Sequence, residues 1–413
     1  MLRAKGVCIA AVVLVCACAE WVAPRPGLTE QDELLLSTMV LSGTPVDPTN
    51  EFLADDAVAE FGQQLFFDKG LSNVVTDGGF VLASDGVACS ECHQPTSAFS
   101  DDRGARNVSR GLGWTARNSP GLMNVGFYEW WGWDGRADTL WGQSANAYES
   151  AATMGGTPLR LGRAVLARYA DRYQAVFKEP LPDFNGPRFD APLSADAAME
   201  LNRVYQRLLK AWAGYQSRLV SADAPFDRYA RGDDHALSDP QRRGLSLFIG
   251  KAGCIECHKG PMFSDNRFSS VGVGQVGVNV AAEDKGRESG LERLAALPHR
   301  RTTQVPAPTA ADLGQFRTKS LRSVSETAPY MHAGQLASLR DVVWFYDRGG
   351  DHAGAGVTSR FMVPLGLGDS EQRDLVAFLE SLTGAPPPSR WLCNNARPAS
   401  LAEKRTNPCA VTP

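Results

Sequence analysis

Histidine is scarce in this 413-residue chain, with six in all, and none lies between His93 and His235. Each placement therefore carries information. Neither charge is in excess: 42 Lys+Arg against 46 Asp+Glu give a formal net charge of −4 at pH 7. With no basic stripe to go with it, that balance excludes nucleic acid as an expected partner. The apolar run from Val7 to Val15 is too short to span a bilayer as a helix. Strand-like alternation is missing as well, so the expected fold is all-α. Long ordered loops are expected between the helices, because 40 Gly and 25 Pro exceed ordinary usage. A hydrophobic share of 43% with 21% charged residues excludes global disorder. At roughly 150 residues per unit, the length predicts two to three structural units.

Arg3 and Lys5 ahead of the apolar run form the first two regions of a secretory leader. Leu14-Val15-Cys16-Ala17-Cys18 resembles a bacterial lipobox, which makes residues 1–17 a signal peptide of lipoprotein type and Cys18 a lipid anchor. Ordinary cleavage after a small residue is the alternative. Either way the expected location is outside the cytoplasm, in the periplasm, where disulfides are permitted.

Nine cysteines then sort themselves. Cys8, Cys16 and Cys18 belong to the leader. Cys393 and Cys409 flank a polar C-terminal loop and are candidates for a disulfide, with two free thiols as the alternative. The other four form Cys89-Ser90-Glu91-Cys92-His93 and Cys254-Ile255-Glu256-Cys257-His258, each a C-x-x-C-H attachment site for a c-type haem. Two thiols three positions apart reach the two vinyl groups of one porphyrin, and the next histidine lies beneath the iron. Chance places one such pattern in a chain of this composition about three times in a thousand. Zinc would need a fourth ligand, and a thioredoxin-type pair would need a βαβ context. Two covalent haem c groups are expected, held by Cys89, Cys92 and Cys254, Cys257, with His93 and His258 on the two irons.

Helical periodicity surrounds both sites. Val58, Phe61 and Leu65 make a stripe before the first. Leu201, Val204, Leu208, Trp212, Tyr215 and Leu219 make the longest stripe, with Ser194 as an upstream cap. Ser238 with Pro240 opens a helix leading to the second site. Ser338 with Asp341 resembles a capping box, and Leu339, Val342, Val343 and Tyr346 share one face. Ser370 is the expected start of the last helix. The expected organisation is a leader (1–17), a linker (18–50), an N-terminal haem domain (51–225), a C-terminal haem domain (226–390) and a tail (391–413). The boundary is expected within the polar segment 222–237, between two cytochrome c-like units with long loops.

Beyond the haem sites, Leu65-Phe66-Phe67-Asp68, Arg117-Asn118-Ser119-Pro120, Trp133-Asp134-Gly135-Arg136, Gly260-Pro261 and Thr327-Ala328-Pro329-Tyr330-Met331-His332-Ala333-Gly334 resemble the bacterial di-haem cytochrome c peroxidase family, which includes MauG-like enzymes. The resemblance runs from about Phe61 to Gly384. It implies a peroxide-reacting N-terminal haem, a C-terminal relay haem and a tryptophan between them, by position Trp133. A histidine that blocks the first iron in conventional members has no counterpart here, which is MauG-like. Fourteen residues after His332 stands Tyr346, where MauG-like enzymes place a tyrosine ligand to the second iron. Met331 and Met362 are its rivals, and a buried tyrosine donating one hydrogen bond is the plain alternative.

The family also implies acid–base groups near the first haem. Gln143 matches one. The position of the family glutamate is Thr153, which cannot shuttle a proton, so Glu149 one turn away is the candidate replacement, against the alternative of a solvated surface acid. A calcium ion is implied at Asn118, Thr327 and the Pro329 carbonyl, and oxygen ligands suit it. His299 and His352 have no motif support and are expected at the surface. The implied activity is reduction of hydrogen peroxide with electrons from a small c-type cytochrome, or MauG-like oxidation of a partner protein, with a homodimer compatible. A non-enzymatic di-haem electron carrier is the rival, and a lipid-anchored scaffold is a third reading.

Overall fold

The computed structural model describes Arg25, residues 28–72, 86–102 and 108–392, and the backbone of 76–77 and 80–81. The leader, Cys18 and the Cys393/Cys409 pair lie outside the described residues. Eleven helices are described: α1 (Glu30–Thr38), α2 (Asp56–Phe66), α3 (Leu140–Glu149), α4 (Pro158–Phe177), α5 (Ala195–Gln216), α6 (Pro225–Ala230), α7 (Asp239–Ile249), α8 (Arg287–Ala296), α9 (Leu339–Asp347), α10 (Asp369–Glu380) and α11 (Ser389–Leu392). Four strands of two residues each pair as antiparallel ribbons: β1 (Thr76–Asp77) with β2 (Phe80–Val81), and β3 (Phe268–Ser269) with β4 (Phe316–Arg317). The fold is thus mostly helical.

Local chemistry sets the helix starts. Asp55 accepts from the backbone N–H groups of Ala57 and Val58 at α2, and Ser194 from Ala197 at α5, each filling an orphan donor of the first turn. At α9, Ser338 and Asp341 form the reciprocal capping box expected from the sequence. Two boundaries differ. Helix α10 starts at Asp369 behind Gly368 rather than at Ser370, because the Glu371 carboxylate accepts from the Gly368 N–H. The stretch read as linker carries α1, whose Leu36 is fully buried.

Two large hydrophobic clusters form. The first gathers buried residues between Val58 and Leu219, with Leu297 and Trp391 reaching in. The second joins Leu28, Leu36 and Met39 to residues from Phe226 to Leu382. Each is built on one helix crossing. Gly62 of α2 lies against the backbone of Ala211 in α5, where an added Cβ would sit 1.9 Å from the Ala211 carbonyl oxygen. Gly244 of α7 meets Asp374 of α10 in the same way, at 2.0 Å. Glycine is required at both places because a side chain would push the helices apart. In each cluster the glycine-bearing helix is the one that precedes a C-x-x-C-H site.

Between the clusters runs a buried ionic network. Arg117 donates through Nε and Nη2 to the two Asp284 oxygens, both at 2.7 Å, and its Nη1 lies 2.7 Å from Asp134. Arg136 grips Asp134 at 2.8 and 2.9 Å. Arg287 donates to the carbonyls of Asp134 and Gly135. Burial pushes Asp134 towards protonation, but Arg136 and Arg117 win and hold its carboxyl far below the usual range. The Arg and Asp of the two N-terminal motifs are thereby fastened to residues 284 and 287 of the C-terminal half.

Candidate functional site

The two C-x-x-C-H motifs adopt one geometry twice. Each wraps a 3-10 turn, Cys89–Glu91 and Cys254–Glu256, and the histidine N–H closes it onto the first cysteine carbonyl at 3.0 and 2.9 Å. Nδ1 of His93 donates to the Phe99 carbonyl and Nδ1 of His258 to the Phe263 carbonyl, both at 2.9 Å. A carbonyl can only accept, so the proton sits on Nδ1 and the Nε2 lone pair is left for a metal. Burial lowers the pKa of both rings, against the pull of those carbonyls, which keeps them neutral as ligands need. Phe99 and Phe263 have φ of 58° and 48°, a left-handed conformation rare for bulky residues. That strained turn aims each carbonyl at its histidine. The sequence hints at this only through an aromatic residue five or six positions after each histidine.

All four cysteines are free of disulfides. Burial pushes the thiols of Cys89 and Cys254 up to about 12, far from the depressed range of thiolate redox pairs. Next to the second motif opens a cavity of ≈ 290 Å³ with apolar walls that include Phe248, Val273, Leu339 and Leu375. Cys254, Cys257 and His258 form one part of its lining, and Tyr346, Met331 and Met362 another. The Tyr346 hydroxyl has no hydrogen-bond partner among the described residues. Burial, together with the nearby Cys254 and Cys257, pushes its pKa further up. An orphaned phenol facing an apolar cavity with a C-x-x-C-H on its wall fits a porphyrin there.

Near the first motif, Cys89 Sγ lies 3.9 Å from Met154 Sδ, just past the end of α3, and Cys92 contacts the Arg110 carbonyl. Gln143 Oε1 and Asn146 Nδ2, one turn apart on α3, are both buried without a partner. They sit on the helix side facing away from the Trp141/Ala145 stripe that packs in the first cluster. Orphaned polar atoms of this kind leave room for a bound group. Asn146 is not marked by any sequence motif.

The other candidates fall into place variously. Glu149 is exposed and accepts from the Tyr205 hydroxyl at 2.6 Å, about a third of a turn round α3 from Gln143. Thr153 spends its hydroxyl on the carbonyls of Ala147 and Ser150. His352 is exposed, as expected. His299 is not: it is half-buried against Trp141 and Tyr205, since the turn after α8 packs Leu297 into the first cluster. Asn118, Thr327 and Pro329 share the wall of the cavity. Asn118 Nδ2 donates to Asp101 and Thr327 Oγ1 to Val324. Among the described residues no group of three His, Cys, Asp or Glu side chains could hold a metal ion.

Trp133 lines the same cavity and is held from both halves. Its Nε1 donates to the Asn118 carbonyl at 2.8 Å, and its own carbonyl accepts from the Arg317 N–H at 2.8 Å. The Pro120 carbonyl faces His93, and the Lys319 carbonyl faces His258. Trp133 is therefore hydrogen-bonded to two segments, 118–120, whose Pro120 lies near His93, and 317–319, whose Lys319 lies near His258. His332 meets Trp133 edge-on at 6.5 Å and stacks on Phe316 at 4.0 Å.

The chain is similar to known proteins. Residues 56–235 match the di-haem cytochrome c peroxidase family. Cytochrome-c peroxidase IdrP1 of Pseudomonas sp. strain SCT is 34% identical over 344 residues, covering 79% of this chain and 80% of that protein. Methylamine utilization protein MauG of Methylorubrum extorquens is 33% identical over 326 residues, covering 79% and 78%. A crystal structure of a MauG-like protein associated with microbial copper homeostasis superposes with a TM-score of 0.63 at 25% identity, covering 86% of this chain and 97% of that one. The chain belongs to the di-haem cytochrome c peroxidase family, MauG proteins included, and is an oxidoreductase of that class, which implies two c-type haems.

Proposed function

We propose that the protein is an exported di-haem peroxidase that reduces hydrogen peroxide at the N-terminal haem, held by Cys89, Cys92 and His93. Electrons reach that site from the C-terminal haem, held by Cys254, Cys257 and His258, by way of Trp133. The observation that carries this reading is Trp133, hydrogen-bonded to the segment that passes His93 and to the segment that passes His258. When bound, the haem irons supply the redox chemistry. The protein's part is to orient and tune. Phe99 and Phe263 fix the tautomer of each proximal histidine, which keeps Nε2 basic towards iron. Gln143 offers a buried amide to the peroxide, and Asn146 stands beside it. Neither amide can act as a general acid, Thr153 is committed to backbone, and Glu149 is tied to Tyr205, so proton movement there relies on water.

The first haem's iron would keep a position for peroxide, a reading that draws on where the other histidines lie. His235 is exposed between α6 and α7 and His352 is exposed, while His332 is engaged by Gln275. His299 packs on Trp141, on the side of α3 away from Gln143. Tyr346 would hold the iron of the second haem, its unpartnered hydroxyl favouring it over Met331 and Met362, which line the same cavity. Phenolate ligation lowers the potential relative to methionine and suits oxidation of a partner protein over electron intake from a small cytochrome. Asn118, Thr327 and Pro329 form a calcium site between an N-terminal (51–225) and a C-terminal (226–390) haem domain. The protein is placed in the periplasm through its leader, lipid-anchored at Cys18, and no helix among the described residues is long and apolar enough to cross a membrane.

The test is an optical and EPR titration of the all-ferric protein with one equivalent of hydrogen peroxide, repeated on Tyr346→Met. A high-spin ferric signal that disappears without prior reduction, and a low-spin signal altered by Tyr346→Met, are expected. Two low-spin irons inert to peroxide, before and after half-reduction, would establish the electron carrier instead.

A further inference from the structure

The strand end that holds Trp133 also places two basic side chains beside it, Arg317 buried and Lys319 partly exposed, both on the wall of the cavity. Arg317 and Lys319 lie two residues apart on extended chain, so their side chains share a face. The Arg317 guanidinium is 2% exposed and lies 4.1 Å over the Tyr128 ring, with Nε and Nη2 unpartnered and Nη1 only 3.4 Å from Asn266 Oδ1. The Lys319 ammonium sits 5.0 Å from the Trp133 ring centroid and 5.4 Å from that of Tyr128. Neither makes an ion pair among the described residues. Arg117 and Arg322 are buried as Arg317 is, and each is met by carboxylates, Asp134 and Asp284 for one and Asp227 for the other.

We propose that Lys319, backed by Arg317, is an electrostatic brake on Trp133. The proposal rests on the relay reading above. In that relay the indole gives one electron to the first haem centre and takes one back from the second. Hydrogen peroxide is the oxidant, accepting two electrons and two protons to yield two waters. In between, the ring carries one positive charge. An ammonium 5.0 Å away attracts the neutral ring through its π face and repels the oxidised one, so it holds down the time the oxidising equivalent spends on Trp133. At an effective dielectric of about 20, a unit charge at that distance changes such a population by on the order of a hundredfold. The brake matters because a long-lived indole radical cation is open to irreversible side reactions.

The experiment uses the holoprotein as wild type, Lys319→Met, Lys319→Arg, Trp133→Phe and Lys319→Met/Trp133→Phe. Each all-ferric sample is mixed with one equivalent of hydrogen peroxide, and rapid-freeze EPR measures the yield of tryptophan radical. The optical spectrum follows redistribution of the oxidising equivalent between the haems. The expected result is at least a tenfold higher radical yield in Lys319→Met, a wild-type yield in Lys319→Arg, and loss of the extra signal in the double variant. Lys319→Gln supplies a second neutral side chain should methionine disturb haem content. If Lys319→Met matches wild type while Trp133→Phe slows redistribution, the relay stands and the brake is overturned. A lysine without its proton, or one neutralised by a porphyrin carboxylate, gives that same silent result. If Trp133→Phe changes nothing, the relay itself fails and the brake falls with it.

Discussion

His332 offers a quantitative check on the packing around Trp133. The ring is 3% exposed, stacked on Phe316, and its Nε2 accepts from the Gln275 amide at 2.7 Å, with the Gln335 amide at 3.5 Å. A protonated ring would set donor against donor at that contact. Burial lowers its pKa to about 4, with nearby Asp284 opposing and Arg117 assisting. An unfolded histidine titrates near ~6.5. The native state therefore binds fewer protons than the unfolded chain between those values, and stability falls as pH drops from about 6.5 to about 4. The full loss is about 3 kcal/mol, with no discount for solvent screening at so buried a site. The assay is urea unfolding followed by far-UV circular dichroism from pH 7.5 to 4, for wild type and His332→Gln. All other titrating groups are common to both, so wild type should lose about 3 kcal/mol more than the variant across that window. Equal acid loss to within about 1 kcal/mol, or a greater loss in His332→Gln, would refute the reasoning.

Three further outcomes follow from the geometry. Gly62→Ala drives a methyl into the Ala211 carbonyl and should cost about 1–3 kcal/mol, lowering the thermal midpoint, with Gly244→Ala behaving likewise at Asp374. Asp134→Asn strands Arg136 and weakens the hold on Arg117, costing about 3–5 kcal/mol at neutral pH in a chemical-denaturation comparison. Because the Asp134 pKa is depressed, its contribution persists from neutrality to below pH ~4 and disappears only as pH falls through the folded value. Replacing Cys89 and Cys92 by serine should reduce the intact mass by one porphyrin and leave the second haem's absorbance, whereas equal loss of both would mean the sites do not load independently.

Much of the site was legible in the chain because its chemistry is local. A three-residue 3-10 turn brings Cys89, Cys92 and His93 together, and the same turn recurs at Cys254, Cys257 and His258, so spacing alone groups these side chains. Capping at Ser194 and at Ser338 with Asp341 is equally local, since each side chain satisfies N–H groups within three residues. Helices α3, α4 and α8 were harder to see. The hydrophobic residues of α3 and α8 are few, and α4 breaks its periodicity at Tyr169, where the backbone leaves helical geometry.

By itself the sequence determined the number and spacing of the C-x-x-C-H motifs and that helices surround them, because motif spacing and capping act over one turn of chain. Only the tertiary structure decided what stands between the sites. Asp284 completes the Arg117 network from the other half of the chain, and Arg317 grips the Trp133 backbone while Lys319 settles beside its ring. It likewise turned His299 inward and Glu149 outward. These are contacts between segments more than a hundred residues apart in most cases, and burial, which sets their charge states, exists only after the two cores have closed on each other.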